Sequence, residues 1–268
     1  MEPTSAIRLP LLKPVLWVIS VVVLLFLLLP SVYVIVWSVK GTSTVGTLGV
    51  FSTKWFALIF ESTDWRDSFV YSVFIAFVSS SVATISALLY FYFSLLYRRA
   101  YQFLGFILCL GPIFFPSVVY ALSLRVTFGS FGSPEWLPLI VGHISLLMPI
   151  QYFLIESSNE LIKIEWIYGA ATMGSTHREV LREIVFPLLS KPIFIAFGIG
   201  LLFSFDEIVI ASLIIDSANS TIPKRMWDTI NRQMDPTPAV VATVILLLSV
   251  ILIFGFYVVG RKKRMLRA

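Results

Sequence analysis

The chain has 268 residues, 58% of them hydrophobic and only 13% charged, with a mean hydropathy of +0.91. Soluble domains carry about 25% charged residues, so the apolar surface here exceeds what one soluble core of this length could bury, and a bilayer is its natural solvent. The net charge of +5 sits at the ends of apolar segments, a topological pattern rather than a nucleic-acid footprint, and the single cysteine, Cys109, excludes an intramolecular disulfide.

Arg8 and Lys13 precede an apolar run over 15–37. It is longer than the apolar region of about 7–15 residues in a cleavable signal, so it is read as a first membrane-spanning helix. The segment 40–67 is a Gly/Thr-rich loop followed by Trp55, Phe56, Phe60 and Trp65, aromatics suited to an interfacial helix. No charge interrupts 68–97, the second expected span, which Arg98 and Arg99 close. A third span fills 100–124, broken by Gly111-Pro112 and Pro116, and a fourth runs over 136–155. After a charged island, a fifth span covers 192–215. A polar loop with a short helix over 224–232 leads to a sixth span over 239–260 and a basic tail, 261–268. The expected architecture is all-α integral membrane: six spans in one domain, 15–260, between a short N-terminus, 1–14, and the tail.

Six spans put both termini on one side. Thirteen of the twenty Lys and Arg residues fall in the N-terminus, 96–102, 156–191 and the C-terminus, and seven in the opposite loops. This bias predicts that both termini and the 156–191 loop are cytoplasmic.

That loop holds the most readable local chemistry. Residues 165–173 are helix-compatible, and Gly174 sits where a helix end favours positive φ. Thr176 and Glu179 have the spacing of a capping box that starts a second helix. Its wet face would carry Arg178, Glu179, Arg182 and Glu183, its dry face Val180, Leu181, Ile184, Val185 and Leu188. Pro187 and Pro192 bracket the start of the fifth span. The expectation is a helix, glycine turn and helix: an elbow.

The other anomaly is Asp206-Glu207 inside the fifth span. Ionisable groups there cost about 2.5–3.5 kcal/mol each and usually face a bundle interior or a cavity. Counted from Pro192, Asp206 lies about 21 Å into a core of about 30 Å. The readings left open are that one carboxylate lines a polar path favouring a cationic solute, that both hydrogen-bond neighbouring helices, or that the span is shorter than 192–215. His143 and Tyr120, lone polar groups in spans, are read as hydrogen-bonded packing, and Trp227 as an interfacial anchor or docking contact. No GxxxxGK[ST] loop, HExxH, CxxC or GxSxG occurs, so no ATP-binding loop, metal site or catalytic nucleophile is expected.

Gly174, nine intervening residues and Ile184-x-Phe186-Pro187 resemble the EAA-x3-G-x9-I-x-L-P loop of ABC importer permeases. Tyr168, Gly169 and Ala170 occupy the EAA positions. Tyr168 stands in place of the glutamate, for which Glu165 could substitute only in part, and Phe186 replaces the leucine. The resemblance implies a type I importer fold whose cytoplasmic coupling helix, between spans four and five, contacts an ATPase through Glu165, Tyr168, Gly169, Ala170, Ala171, Gly174, Ser175, Thr176, Ile184 and Pro187. Beyond the loop, SFDEIVIASLI and TIPKRMWDTINRQMDPTPAVVATVILLLS look like the spermidine/putrescine permease subfamily. That likeness places Ser204, Asp206 and Glu207 on the substrate path. It implies a non-enzymatic inner-membrane subunit of a bacterial importer for a small cationic solute such as a polyamine, with a homologous second permease, an ATPase dimer and a periplasmic binding protein as partners. ATP and Mg2+ would sit on the ATPase, and this chain would hold no cofactor. Importers of opines, aminoethylphosphonate or iron have related permeases; a proton-coupled secondary transporter and a purely structural membrane anchor are the remaining readings.

Overall fold

A computed structural model describes residues 12–41, 50–96, 103, 105–107, 111–216, 219–232, 236–247 and 249–251. Arg98 and Arg99, Cys109, much of the expected third span, the later part of the sixth and the basic tail lie outside the described residues. Among the described residues the chain is helical apart from one isolated bridge, Lys40 to Phe51. It divides into two compact units, one formed by 1–62 with 226–268, the other by 63–225.

In the first unit, α1 (Leu12–Ser38) carries no charged residue after Lys13 and has Pro30 in its interior. The amphipathic helix α2 (Lys54–Glu61) follows the bridge, and Trp55 Nε1 donates to the Lys40 carbonyl at 2.8 Å. The expected aromatic helix is thus present, but Trp65 belongs to the next one. The apolar helix over Thr237–Ile251 lies in the region of the sixth span.

The second unit is built on α3 (Thr63–Leu96). A 3-10 turn (Gly111–Phe114) precedes α4 (Ser117–Ser130), α5 (Trp136–Glu156) and the short α6 (Ile164–Thr172). One continuous helix, α7, then runs over His177–Asp206; α8 (Val209–Ile214) follows, and α9 (Ile222–Arg232) begins in this unit and passes into the first at Met226. Among the described residues four helices are long and apolar enough to cross a membrane: 14–38, α3, α5 and α7.

Three expectations change. The helix after Pro116 continues to Ser130, past the expected end at 124, because only Gly132, with φ 64, breaks it. The fifth span's expected start at 192 falls inside α7, which begins at His177. A π turn over Leu181–Val185 makes this possible, widening the helix just before Pro187, whose ring would otherwise crowd the carbonyl four residues earlier. The expected end at 215 is also displaced, since α7 stops at Asp206 and a break at 207–208 separates it from α8.

The π turn inserts an extra residue and so rotates the dry face. Val180 and Val185 are buried as expected and Leu181 and Ile184 half-buried, but Leu188 is 39% exposed and Leu189 is buried instead. From there the inward positions are Leu189, Ile193, Ala196, Gly200 and Ser204, which face α3 and α5.

α3 meets those helices through small side chains: Ser72, Ala76, Ser79, Ser80, Ala83, Thr84 and Ala87 are all buried. Without a hydrophobic driving force in lipid, close backbone approach and interhelical hydrogen bonds hold such helices together. Gln151 of α5, fully buried, donates through Nε2 to Ser80 Oγ at 2.9 Å, and Ser80 Oγ donates to the Phe197 carbonyl of α7 at 2.8 Å. Gly200 makes room for this seam: a Cβ there would collide with Gln151 Nε2 and come within 2.5 Å of Ser80 Oγ. Gly200→Val should therefore destabilise the protein by about 1–3 kcal/mol and lower its thermal midpoint in detergent. Gly198→Ala, where a Cβ meets nothing within 4 Å, should not lower it.

Candidate functional site

The elbow joins α6 to α7. At the end of α6, Met173 is the C-cap and Gly174 follows with φ 91. The Gly174 amide donates to the Ala171 carbonyl and the Ser175 amide to the Ala170 carbonyl, each at 3.0 Å, which is the Schellman pair of bonds. A side chain at Gly174 would have space but the wrong backbone, because L-residues are strained at this φ.

Two residues on, Thr176 caps α7. Its amide donates to Glu179 Oε2 at 2.7 Å, its hydroxyl to the same oxygen at 2.9 Å, and the Glu179 amide donates back to Thr176 Oγ1 at 3.4 Å. The box expected from spacing is present, and both faces of the turn have their backbone groups satisfied locally.

Beneath the elbow lies an apolar cluster. Ile167 of α6 and Val180, Val185 and Leu189 of α7 pack with Ala87, Phe91 and Tyr92 of α3 and with Tyr152 and Ile155 of α5. Tyr92 is fully buried, and its hydroxyl lies 2.8 Å from His177 Nδ1, with the rings edge to face at 6.0 Å between centroids. Reading the sequence missed this pair, because nothing local connects residues in different helices.

The outer surface of α6 and the turn is open. Glu165, Tyr168, Gly169, Ala171, Gly174 and Thr176 are exposed, while Ala170, Ser175 and Ile184 are half-buried. Pro187 is exposed on the first turn after the π segment. Trp166 is exposed too, with Lys163 Nζ 5.9 Å from its ring centroid, and Met173 is 90% exposed. The motif positions therefore form one side of the elbow, with apolar groups among them.

The second candidate region is the break after α7. Asp206 is the last residue of α7 and is exposed. Glu207 is extended, with φ -73 and ψ 113, and its Oε1 accepts from the Ile210 amide at 2.9 Å. It thus satisfies one of the free amides that begin α8. The two carboxylates were expected inside a helix; the break gives them different surroundings and different work. Ser204, by contrast, is buried, with Oγ 2.6 Å from His143 Nδ1 of α5. Tyr120 Oη lies 2.6 Å from Ser145 Oγ. His143 and Tyr120 are thus hydrogen-bonded packing groups, as their isolation in apolar runs suggests. Past the break, Ile210, Ala211 and Ile214 of α8 pack with Ile75 of α3, Ala121 of α4, and Leu139 and Ile140 of α5. No group of three or more metal-ligating side chains occurs among the described residues.

The family of binding-protein-dependent transport system inner membrane components matches residues 55–264 of the chain. The spermidine/putrescine transport system permease protein PotC of Escherichia coli is 24% identical over 243 residues, which cover 89% of this chain and 90% of that protein. Its counterpart in Haemophilus influenzae is 25% identical over 217 residues, covering 79% and 83%. The putrescine transport system permease protein PotI of Escherichia coli is 21% identical over 248 residues, covering 89% and 88%. Among solved structures, a chain of a bacterial ABC transporter involved in the import of the acidic polysaccharide alginate superimposes with a TM-score of 0.66 at 15% identity, covering 97% of this chain and 99% of that one.

The Thr176 donors hold the Glu179 carboxyl below its ordinary range. A carboxylate lowered on folding stabilises the elbow at neutral pH, and that contribution is lost as pH falls through the lowered value. Protection factors at the Thr176–Val180 amides, which remove the intrinsic pH dependence of exchange, should fall as the pH drops through the lowered Glu179 value, and Glu179→Gln should remove that fall.

Proposed function

The chain belongs to the family of binding-protein-dependent transport system inner membrane components, and from that premise we propose that it is the permease subunit carrying half of the path of an ATP-driven polyamine importer. As an ABC permease it is a membrane transport component rather than an enzyme, and its family works in complexes with other ABC subunits. In the proposed assembly it spans the bacterial inner membrane six times with both termini in the cytoplasm. It pairs with a homologous permease, binds an ATPase dimer and receives solute from a periplasmic binding protein. ATP and Mg2+ are bound by the ATPase.

One observation carries the mechanical part of the proposal. The Gly174 turn, capped on both sides, lies inside the matched region and presents most of the motif residues outward, Tyr168 among them, with Trp166 and Met173 exposed beside them. Such a surface suits a groove on a partner protein. ATP-driven closure of the ATPase dimer draws two elbows together and rocks the attached helices from inward- to outward-facing; hydrolysis resets them. Glu165, Tyr168, Gly169, Ala170, Ala171, Gly174, Ser175, Thr176, Ile184 and Pro187 form or support the docking surface.

Substrate charge is supported by the polyamine permeases among the relatives and by the exposed carboxylate of Asp206. The fold alone does not carry it, since the solved transporter of like fold imports an acidic polysaccharide. Asp206 attracts the cation, Glu207 holds the start of α8, and Ser204 supports the region through His143.

Gly174→Glu should release or uncouple the ATPase while membrane insertion stays intact; normal ATP-driven uptake by that variant would rule out the docking role. Asp206→Asn should lower spermidine uptake roughly tenfold, the scale of one hydrogen bond to a charged group, without releasing the ATPase. Unchanged uptake kinetics would move Asp206 to a packing role.

A further inference from the structure

We propose that Tyr92 and His177 form the positioning contact through which displacement of the elbow is passed into α3. The inference rests on the elbow reading above and adds to it the route by which movement leaves the elbow.

His177 is the first residue after the Thr176 cap, so it moves with the turn. The residue is exposed on the elbow surface, yet its Nδ1 reaches 2.8 Å from the hydroxyl of a tyrosine with no exposed surface. That tyrosine lies four residues before the described end of α3, wedged beside Ala87, Phe91, Val180 and Val185. Aliphatic contacts in this cluster can slide past one another with little directional cost, whereas a hydrogen bond, here half-buried, sets one register between two elements. The edge-to-face ring contact adds a second directional constraint to the same pair.

α3 also suits the role of receiver. Ser80 lies twelve residues from Tyr92, about 18 Å along the helix, and there touches both Gln151 of α5 and the Phe197 carbonyl of α7. A shift imposed at Tyr92 therefore reaches the seam that holds the three helices together.

The test uses the complete importer in proteoliposomes, with Cys109→Ser and Asp67→Cys as background. Asp67 is an exposed residue near the N-terminal end of α3, far from the elbow. The readout is the ratio of labelling rates at that cysteine, by a membrane-impermeant maleimide, between nucleotide-free and ATP-vanadate-trapped complexes. Tyr92→Phe, which keeps the ring and its packing, should reduce the nucleotide-dependent change roughly two- to twelvefold, the range spanned by one hydrogen bond of ordinary net strength, while ATPase remains bound and the thermal midpoint holds. His177→Ala should do the same, the double variant should lose no more than either single one, and His177→Asn, with polar atoms in place of Nδ1, should retain the change. A wild-type ratio in Tyr92→Phe, or equal labelling of the two states in the background protein, would overturn the inference. Gly174→Glu separates the two ideas: if it keeps both the ATPase and the wild-type ratio, the elbow reading itself fails, whereas a loss there with Tyr92→Phe unaffected sinks only the Tyr92–His177 route.

Discussion

The turn at Gly174 satisfies its own backbone. The two bonds that close α6 and the Thr176–Glu179 box that opens α7 leave a rigid corner needing no support from outside the chain. The outer side chains are then free for another protein, and the inner ones, Ile167, Val180 and Val185, can settle onto α3 and α5. Without that corner neither the apolar cluster nor the Tyr92–His177 contact would have a fixed partner. The rest of the second unit follows from it: α7 leaves the turn already helical, absorbs Pro187 with a π turn, and reaches the seam at Gly200 with its small face inward.

Polar groups within apolar helices do two kinds of work. Gln151, Ser80 and Ser204 are buried and bind across helices, which in hydrocarbon is the way such groups avoid a heavy desolvation cost. Asp206 is exposed where α7 ends, and Glu207 turns its carboxylate back on the next helix start. A pair that looks symmetrical in sequence is thus divided by a helix break into one exposed carboxylate and one engaged by the fold.

What could be read in advance was what is local. A positive-φ glycine, a capping box four residues long and runs of apolar residues depend on near neighbours, and the Gly174–Ile184–Pro187 spacing sufficed for the family. The π turn was hidden because its consequence, Leu189 rather than Leu188 in the core, depends on packing against α3 and α5. The start of α7 at the Thr176 cap is local and legible, whereas its run through Pro187 and Pro192 depends on the π turn, and no residue type marks the break after Asp206. The Gln151–Ser80–Gly200 seam and the Tyr92–His177 pair join residues 49 to 120 positions apart, on separate helices, with no signal in either segment alone.

The most direct measurement is photocrosslinking from the elbow tip in membranes of the native organism, with a photoreactive amino acid at position 173, where Met173 is 90% exposed at the C-cap of α6 and takes part in the turn through its backbone amide. A covalent adduct to the ATPase, formed in inverted vesicles and lost when the ATPase is stripped from the membrane, is the expected product. Adducts only to lipid, or only to a protein on the opposite side of the membrane, would contradict the assignment of the elbow as the ATPase docking surface.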